Sequence, residues 1–172
     1  LSKLTAALGH SFADRALLQT ALTHRSFGAS NNERLEFIGD GVLNCVIAVA
    51  LFRRYPDLDE GDLSRMRANL VRQDTLHRLA VALHLGDSLR LGEGELKSGG
   101  NQRPSILADT VEALIGAVYL DGGFEAAQAL IGRLYLPMFD ELTSGAVTKD
   151  AKTTLQEWLQ ARRTALPVYE IS

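Results

Sequence analysis

Apolar residues recur at intervals of three and four along most of this chain, and strict strand-like alternation is nearly absent. That spacing predicts helices. The first runs over Phe12–Leu22 and is followed by the turn-like "THRSFGASNN". Asn31 or Asn32 can cap a second helix, which stops at Tyr55-Pro56 because the residue before proline disfavours helical geometry. "DLDEGD" supplies acids to the start of a third, carried on by Leu63, Met66, Leu70 and Val71. Leu76–Leu85 predicts a fourth, closed by Gly86. The glycine-rich "GEGELKSGGNQRPS" (92–105) reads as a loop. Ser105 is expected to cap a long helix that ends at Asp121-Gly122-Gly123. Phe124–Leu142 continues as helix, interrupted near Pro137.

The pattern then changes. "TSGAVTKD" has linker composition, Lys152–Arg163 is amphipathic, and "LPVYEIS" has strand-like residues. The expectation is an all-α domain over 1–143, a linker over 144–151 and the opening of a second unit over 152–172. A second unit of about 20 residues cannot bury a core, so the complete protein is expected to continue past Ser172.

Composition adds little. Hydrophobic residues make up 46% and charged residues 23%, as in ordinary soluble domains. No uninterrupted apolar run reaches the ~18 residues of a bilayer span, and no secretory signal is visible, so no membrane association is expected. The single cysteine, Cys45, excludes an intrachain disulfide and suits a reducing, cytoplasmic setting; it reads as a small buried hydrophobe. A net charge of −3 argues against a simple nucleic-acid binder, unless several acids are gathered at one metal site.

Such a gathering is visible in "NNERLEFIGD". With Glu33 at zero on a helical wheel, Asp40 falls near ~340° and Glu36 near ~300°. Leu35, Ile38, Val42, Val46 and Val49 lie opposite, so the acids share a face turned from the core. "SILADTVEALIG" repeats the device with Asp109 and Glu112 one helical turn apart. Neither acidic face carries an interleaved lysine or arginine. Like charges so spaced cost a helix a few tenths of a kcal/mol per pair, and a cation would reverse that sign. Oxygen-only ligands suit Mg²⁺ or Mn²⁺. From spacing alone, a divalent-metal site and a solvated acidic face both stay open. Phe37, near ~40° on the same wheel, is either half-buried under a loop or an anchor for a partner. Asn44 shares the face and could support the acids.

The motifs, taken in order, resemble the ribonuclease III family. "ALTHRS", "NNERLEFIGDGVL", "DEGDLSRMRANLV", "LGEGELKSGG" and "SILADTVEALIGAVYLDGG" are similar to that family's blocks and cover essentially the whole chain. The resemblance implies an all-α ribonuclease III endonuclease domain followed by the start of an α/β double-stranded-RNA-binding domain. It implies a cytoplasmic homodimer that cuts both strands of double-stranded RNA. The products would carry 5′-phosphate and 3′-hydroxyl ends with short 3′ overhangs, as in processing of ribosomal and other RNA precursors. Mg²⁺ would serve, with Mn²⁺ as a substitute and no organic cofactor. By motif position, Glu36, Asp40, Asp109 and Glu112 would be the metal ligands, with Asp40 and Glu112 catalytic. Glu33, Asn44 and Glu60 would lie in the second shell or contact RNA, and Phe37 would insert into the partner subunit. In the tail, Thr153, Gln156, Glu157 and Gln160 would enter the RNA minor groove. The alternative there is a plain amphipathic helix packed through Leu155, Trp158 and Leu159.

Other residues carry weaker signals. His24 lies in "ALTHRS" but has no partner at ligand spacing and reads as structural, as do His10, His77 and His84. Arg65, Arg67, Arg72, Lys97 and Arg103 are candidate phosphate contacts, each equally a solvated charge. Glu60 could simply complement a helix dipole. All-α nucleoside-triphosphate pyrophosphatases also pair acidic motifs, but space them more closely than Asp40 and Asp109. Di-iron bundles need Glu-x-x-His pairs, and none occurs here. Relatives that keep the fold only to bind RNA have lost the acids, whereas this chain retains them.

Overall fold

The structure is a computed structural model that describes residues 2–146 together with Trp158 and Gln160. Seven α-helices are found among these residues: α1 (Ser2–Leu8), α2 (Arg15–Ala21), α3 (Glu33–Arg54), α4 (Glu60–Val71), α5 (Gln73–Ala82), α6 (Glu93–Lys97) and α7 (Pro104–Ala146). The only β-type pairing among them is an isolated bridge between Thr23 and Arg90. The all-α expectation holds.

Several boundaries differ from those read in the sequence, each for a local reason. Asp14 accepts a hydrogen bond from the Ala16 amide at 2.9 Å, so α2 starts at Arg15, not Phe12. α1 lay below the length at which periodicity is legible. α5 begins earlier than expected and stops before His84, which is left-handed at φ 52°. α6 forms inside the segment read as loop. α7 starts at Pro104, a residue whose missing amide hydrogen costs nothing in the first turn, and Ser105 is therefore inside the helix and does not cap it. The break expected after Asp121 is at Gly123, whose φ of 80° and ψ of −176° suit glycine alone. The interruption expected at Pro137 is absent, and the helix continues to Ala146.

α3 forms the centre of the core. Its buried face carries Leu35, Leu43, Val46, Ile47 and Leu51, packed on Val111, Leu114, Ile115 and Val118 of α7. By mean hydropathy alone, α3 and residues 104–142 are each apolar enough to cross a bilayer. Here they spend that apolar surface on one another. Tyr135 lies fully buried below them and donates to the Leu70 carbonyl at 2.9 Å, fastening α7 to α4. The N-terminal segment is held at the Gly123 break: Asp121 accepts from the Asp14 and Ala13 amides at 2.8 and 3.1 Å and meets the His10 ring at 2.7 Å. These partners, the Asp14 amide foremost, hold the Asp121 carboxyl below its ordinary range. Trp158 also packs against the core.

The crossing of α3 and α7 is unusually close. A β-carbon on Gly39 would stand 1.7 Å from the Glu112 carbonyl oxygen, and one on Gly116 would stand 2.1 Å from that of Leu35. The two backbones touch there, and only glycine permits it. Gly116→Ala should therefore cost about 1–3 kcal/mol or more through forced separation of the helices, read as a lower urea midpoint. Gly132, also in α7, has nothing within 4 Å of its would-be β-carbon. Gly132→Ala should raise stability by about 0.5–1 kcal/mol from helix propensity. Equal effects at the two sites would contradict the close crossing.

Candidate active site

Because α3 and α7 touch at Gly39 and Gly116, the residues one turn away on each helix are forced together. Glu36 precedes Gly39 by three positions, and Glu112 precedes Gly116 by four. The result is a triad: one carboxylate oxygen each from Glu36, Asp109 and Glu112 lies within 4.8 Å of the others. All three side chains are half-buried, and none of the ion pairs among the described residues involves them.

The electrostatic consequence is large. Burial, then Asp40, Glu36 and Asp109, push the Glu112 carboxyl up to about 8. Glu36 is raised by burial and by Asp109, Glu33 and Asp40. Burial also raises Asp109, against the pull of His24 and Arg25. Burial and like charge act in the same direction at Glu112. Such a cluster is expensive unless protons or cations neutralise it.

Asp40 stands outside the triad of closest oxygens but near enough to perturb Glu112 more than any other charge. It is exposed, and the Asn44 amide donates to its Oδ1 at 2.9 Å and its main-chain carbonyl at 3.0 Å. Asn44 thus orients Asp40 directly. Glu33 is exposed and sits 3.6 Å from the Arg25 guanidinium. Glu60 is elsewhere: it accepts from Ser64 Oγ at 2.7 Å and lines a cleft with Phe52, Arg53 and Arg67 at the far end of α3. Phe52 lies sixteen positions beyond Glu36 along α3, or about 24 Å.

Beside the triad opens a cavity of about 430 Å³, lined by His24, Arg25, Glu33, Glu36, Arg103 and Asp109, among others. Arg103 is tethered there by Glu95 at 2.6 Å. The other candidate phosphate contacts are dispersed: Arg65 pairs with Asp62, Arg72 with Asp74 at 3.4 Å, and Lys97 with Glu93 at 3.8 Å, while Arg67 lines the distant cleft. Phe37 is 82% exposed. Cys45, expected to be buried, is exposed on the same side of α3. Its wheel position near the margin of the core stripe is decided by the missing neighbour: among the described residues, no other element covers that face. Thr153, Gln156 and Glu157 lie outside the described residues, and Gln160 is helical and exposed.

Sequence reading overlooked Gly39, Gly116 and Glu95. Isolated glycines inside apolar helices were the available signal for the first two, since their propensity cost calls for a packing reason.

A family profile described as Ribonuclease-III-like matches residues 14–139. The chain is 68% identical over 164 residues to Ribonuclease 3 of Dechloromonas aromatica, covering 95% of this chain and 74% of that one. Its structure is similar to that of the nuclease domain of ribonuclease III from Campylobacter jejuni, with a TM-score of 0.77 and 45% identity over 81% of this chain and 95% of that one. A second structure of that domain, reported for flexibility in a region involved in dimer formation, aligns with a TM-score of 0.75 and 47% identity over 77% and 93% of the two chains. A profile match across most of the length, joined to identity this high, leaves a single conclusion: the chain belongs to the ribonuclease III family.

Proposed function

We propose that this ribonuclease III, an endoribonuclease of double-stranded RNA, cuts both strands using divalent cations held by Glu36, Asp40, Asp109 and Glu112. Mg²⁺ is the favoured ion and Mn²⁺ a substitute. The observation that carries this is the convergence of three carboxylates from two helices within 4.8 Å. Oxygens around one Mg²⁺ at ~2.1 Å stand ~3.0 Å apart when adjacent and ~4.2 Å when opposite, so side-chain adjustments on the order of 1–2 Å would complete the set. Bound there, a divalent cation supplies an activated water and offsets the negative charge of the phosphodiester. Glu112 and Asp109 hold their oxygens from α7, and Glu36 holds its own from α3. Asn44 fixes the direction of Asp40. Glu33, at the cavity rim, is placed for a water-mediated or RNA contact, whereas Glu60 faces the distant cleft. Hydrolysis at such a centre leaves 5′-phosphate and 3′-hydroxyl ends, and staggered cuts leave short 3′ overhangs. Processing of ribosomal and other RNA precursors in the cytoplasm is the matching role.

Cutting two strands requires two centres, and we propose a homodimer built on the exposed side of α3. Phe37, Gly41, Cys45 and Phe52 are exposed and fall within about 80° on the helical wheel. A two-fold axis near Asn44 and Cys45 would bring Phe37 of one protomer to the ~530 Å³ cleft beside Ala48, Val49, Phe52 and Leu63 of its partner. Residues 152–172 would open a double-stranded-RNA-binding domain that adds affinity for the duplex, through Thr153, Gln156, Glu157 and Gln160.

Three outcomes test this reading. Glu112→Gln should keep duplex binding but lower Mg²⁺-dependent cleavage by at least ~10³-fold, since it removes charge where the cations bind; undiminished turnover would remove Glu112 from the centre. Phe37→Ala should weaken dimerisation at least tenfold in sedimentation equilibrium, as expected for a buried aromatic anchor. The third outcome concerns pH. Between the ordinary 4.5 and about 8, folded metal-free protein holds a proton on Glu112 that the unfolded chain has released. Metal-free stability therefore falls as pH rises through that window. Divalent cation competes with the same proton, so its stabilising effect should grow from pH 5 to 8.5. Glu112→Gln should flatten both trends in thermal melts.

A further inference from the structure

We propose that His24 donates a hydrogen bond from Nε2 to a backbone phosphate oxygen of the RNA duplex beside the acid cluster, in a tautomer fixed by Ser26. The assignment rests on the nuclease reading above and adds a substrate contact to it.

The tautomer follows from donor bookkeeping. Ser26 Oγ accepts the Gly92 amide at 3.0 Å, which turns its own hydrogen toward His24 Nδ1, 2.8 Å away. The Ser26 amide donates to the same Nδ1 at 3.2 Å. A ring nitrogen that accepts two hydrogen bonds carries no hydrogen, so the neutral ring holds its hydrogen at Nε2. Nε2 has no protein partner among the described residues.

The segment that carries the ring is held by main-chain bonds on both sides. The His24 amide donates to the Arg90 carbonyl at 3.0 Å, Arg90 returns a bond to Leu22 at 2.8 Å, and the Phe27 amide closes the turn onto the His24 carbonyl at 2.9 Å. The Arg90 guanidinium stacks 4.4 Å above the Phe27 ring. Gly92 allows the two segments to meet, since a β-carbon there would stand 2.4 Å from the Ser26 carbonyl oxygen. This much local order around one half-buried histidine orients a donor.

His24 lines the cavity that Glu36, Asp109 and Arg103 also line. That space is lined both by acids (Glu36 and Asp109) and by Arg25, Arg103 and His24. An acceptor-only anion lying against a metal centre fits the gap, and a phosphate of the duplex is such an anion. A hydrogen bond to a charged oxygen is worth on the order of a 10- to 100-fold change in rate if it strengthens as the phosphate is attacked.

Two substitutions separate contact from scaffolding. His24→Asn keeps an acceptor where Nδ1 stood but loses the distal N–H, whereas His24→Gln can restore a donor near Nε2. His24→Asn should slow single-turnover cleavage of duplex RNA with Mg²⁺ by 10- to 100-fold, with melting temperature unchanged, and His24→Gln should recover most of the loss. In ¹⁵N–¹H spectra of Glu112→Gln protein, the His24 Nε2–H signal should be present and should move when duplex RNA is added. Wild-type rates in His24→Asn, equal loss in both variants with lowered melting temperature, or an Nδ1–H tautomer would each overturn the assignment. Wild-type protein that leaves duplex RNA intact with Mg²⁺ would instead overturn the nuclease reading beneath it.

Discussion

Contact between the backbones of α3 and α7 at Gly39 and Gly116 is the constraint on which the rest of the structure depends. Side-chain-mediated helix pairs stand 8–10 Å apart. Removing the side chains at the crossing brings the helices closer, and carboxylates projecting from each then reach a common point. The apolar face of α3 and that of α7 complete the crossing on their other side, through Leu35, Leu43 and Ile47 against Val111, Leu114 and Ile115. Stability and site geometry are thus set by one junction. The core holds the helices together, and the glycines decide how near their acids come.

That proximity carries an electrostatic cost, and the cost explains the character of the site. Four acids face one region, and Glu112, the most strongly shifted of them, takes its proton near neutral pH in the absence of metal. A group so raised is a poor stabiliser of the empty fold and a good receptor for a cation, because ion binding relieves desolvation and repulsion together. The arrangement trades stability for a charged, preorganised pocket, as functional sites commonly do. Around it, cations are kept at the periphery. Arg103 is held by Glu95 at 2.6 Å and Arg25 lies 3.6 Å from Glu33, so neither collapses onto the triad.

Much of this was legible in the residues. The 3.6-residue period located α3 and α7, and the wheel correctly turned Glu36 and Asp40 away from Leu35 and Val46. Tyr55-Pro56 ended α3 where expected. What could not be read was anything decided by tertiary contact. α1 is too short for a period, and it is secured by burial of Leu4 and Leu8. Pro137 does not interrupt α7, because periodicity and proline rules speak only of the helix and not of its neighbours. Cys45 is exposed because the face of α3 that bears it has no cover among the described residues. The relation of Asp40 to the triad was also beyond the sequence: the family resemblance implied four metal ligands, while the fold clusters three and sets the fourth beside them under the control of Asn44. His24 lacked a partner in sequence because its partner, Ser26, itself held by the Gly92 amide, acts through main-chain and hydroxyl groups that carry no ligand signature.

If the helix crossing creates a divalent-cation centre shared by α3 and α7, anomalous diffraction from crystals grown with Mn²⁺ should show a peak bonded to oxygens of Glu36, Asp109 and Glu112, with Asp40 at bonding distance or linked through water. Crystals saturated with Mn²⁺ that show no peak between the two helices, or a peak bound by acids of only one of them, would contradict it.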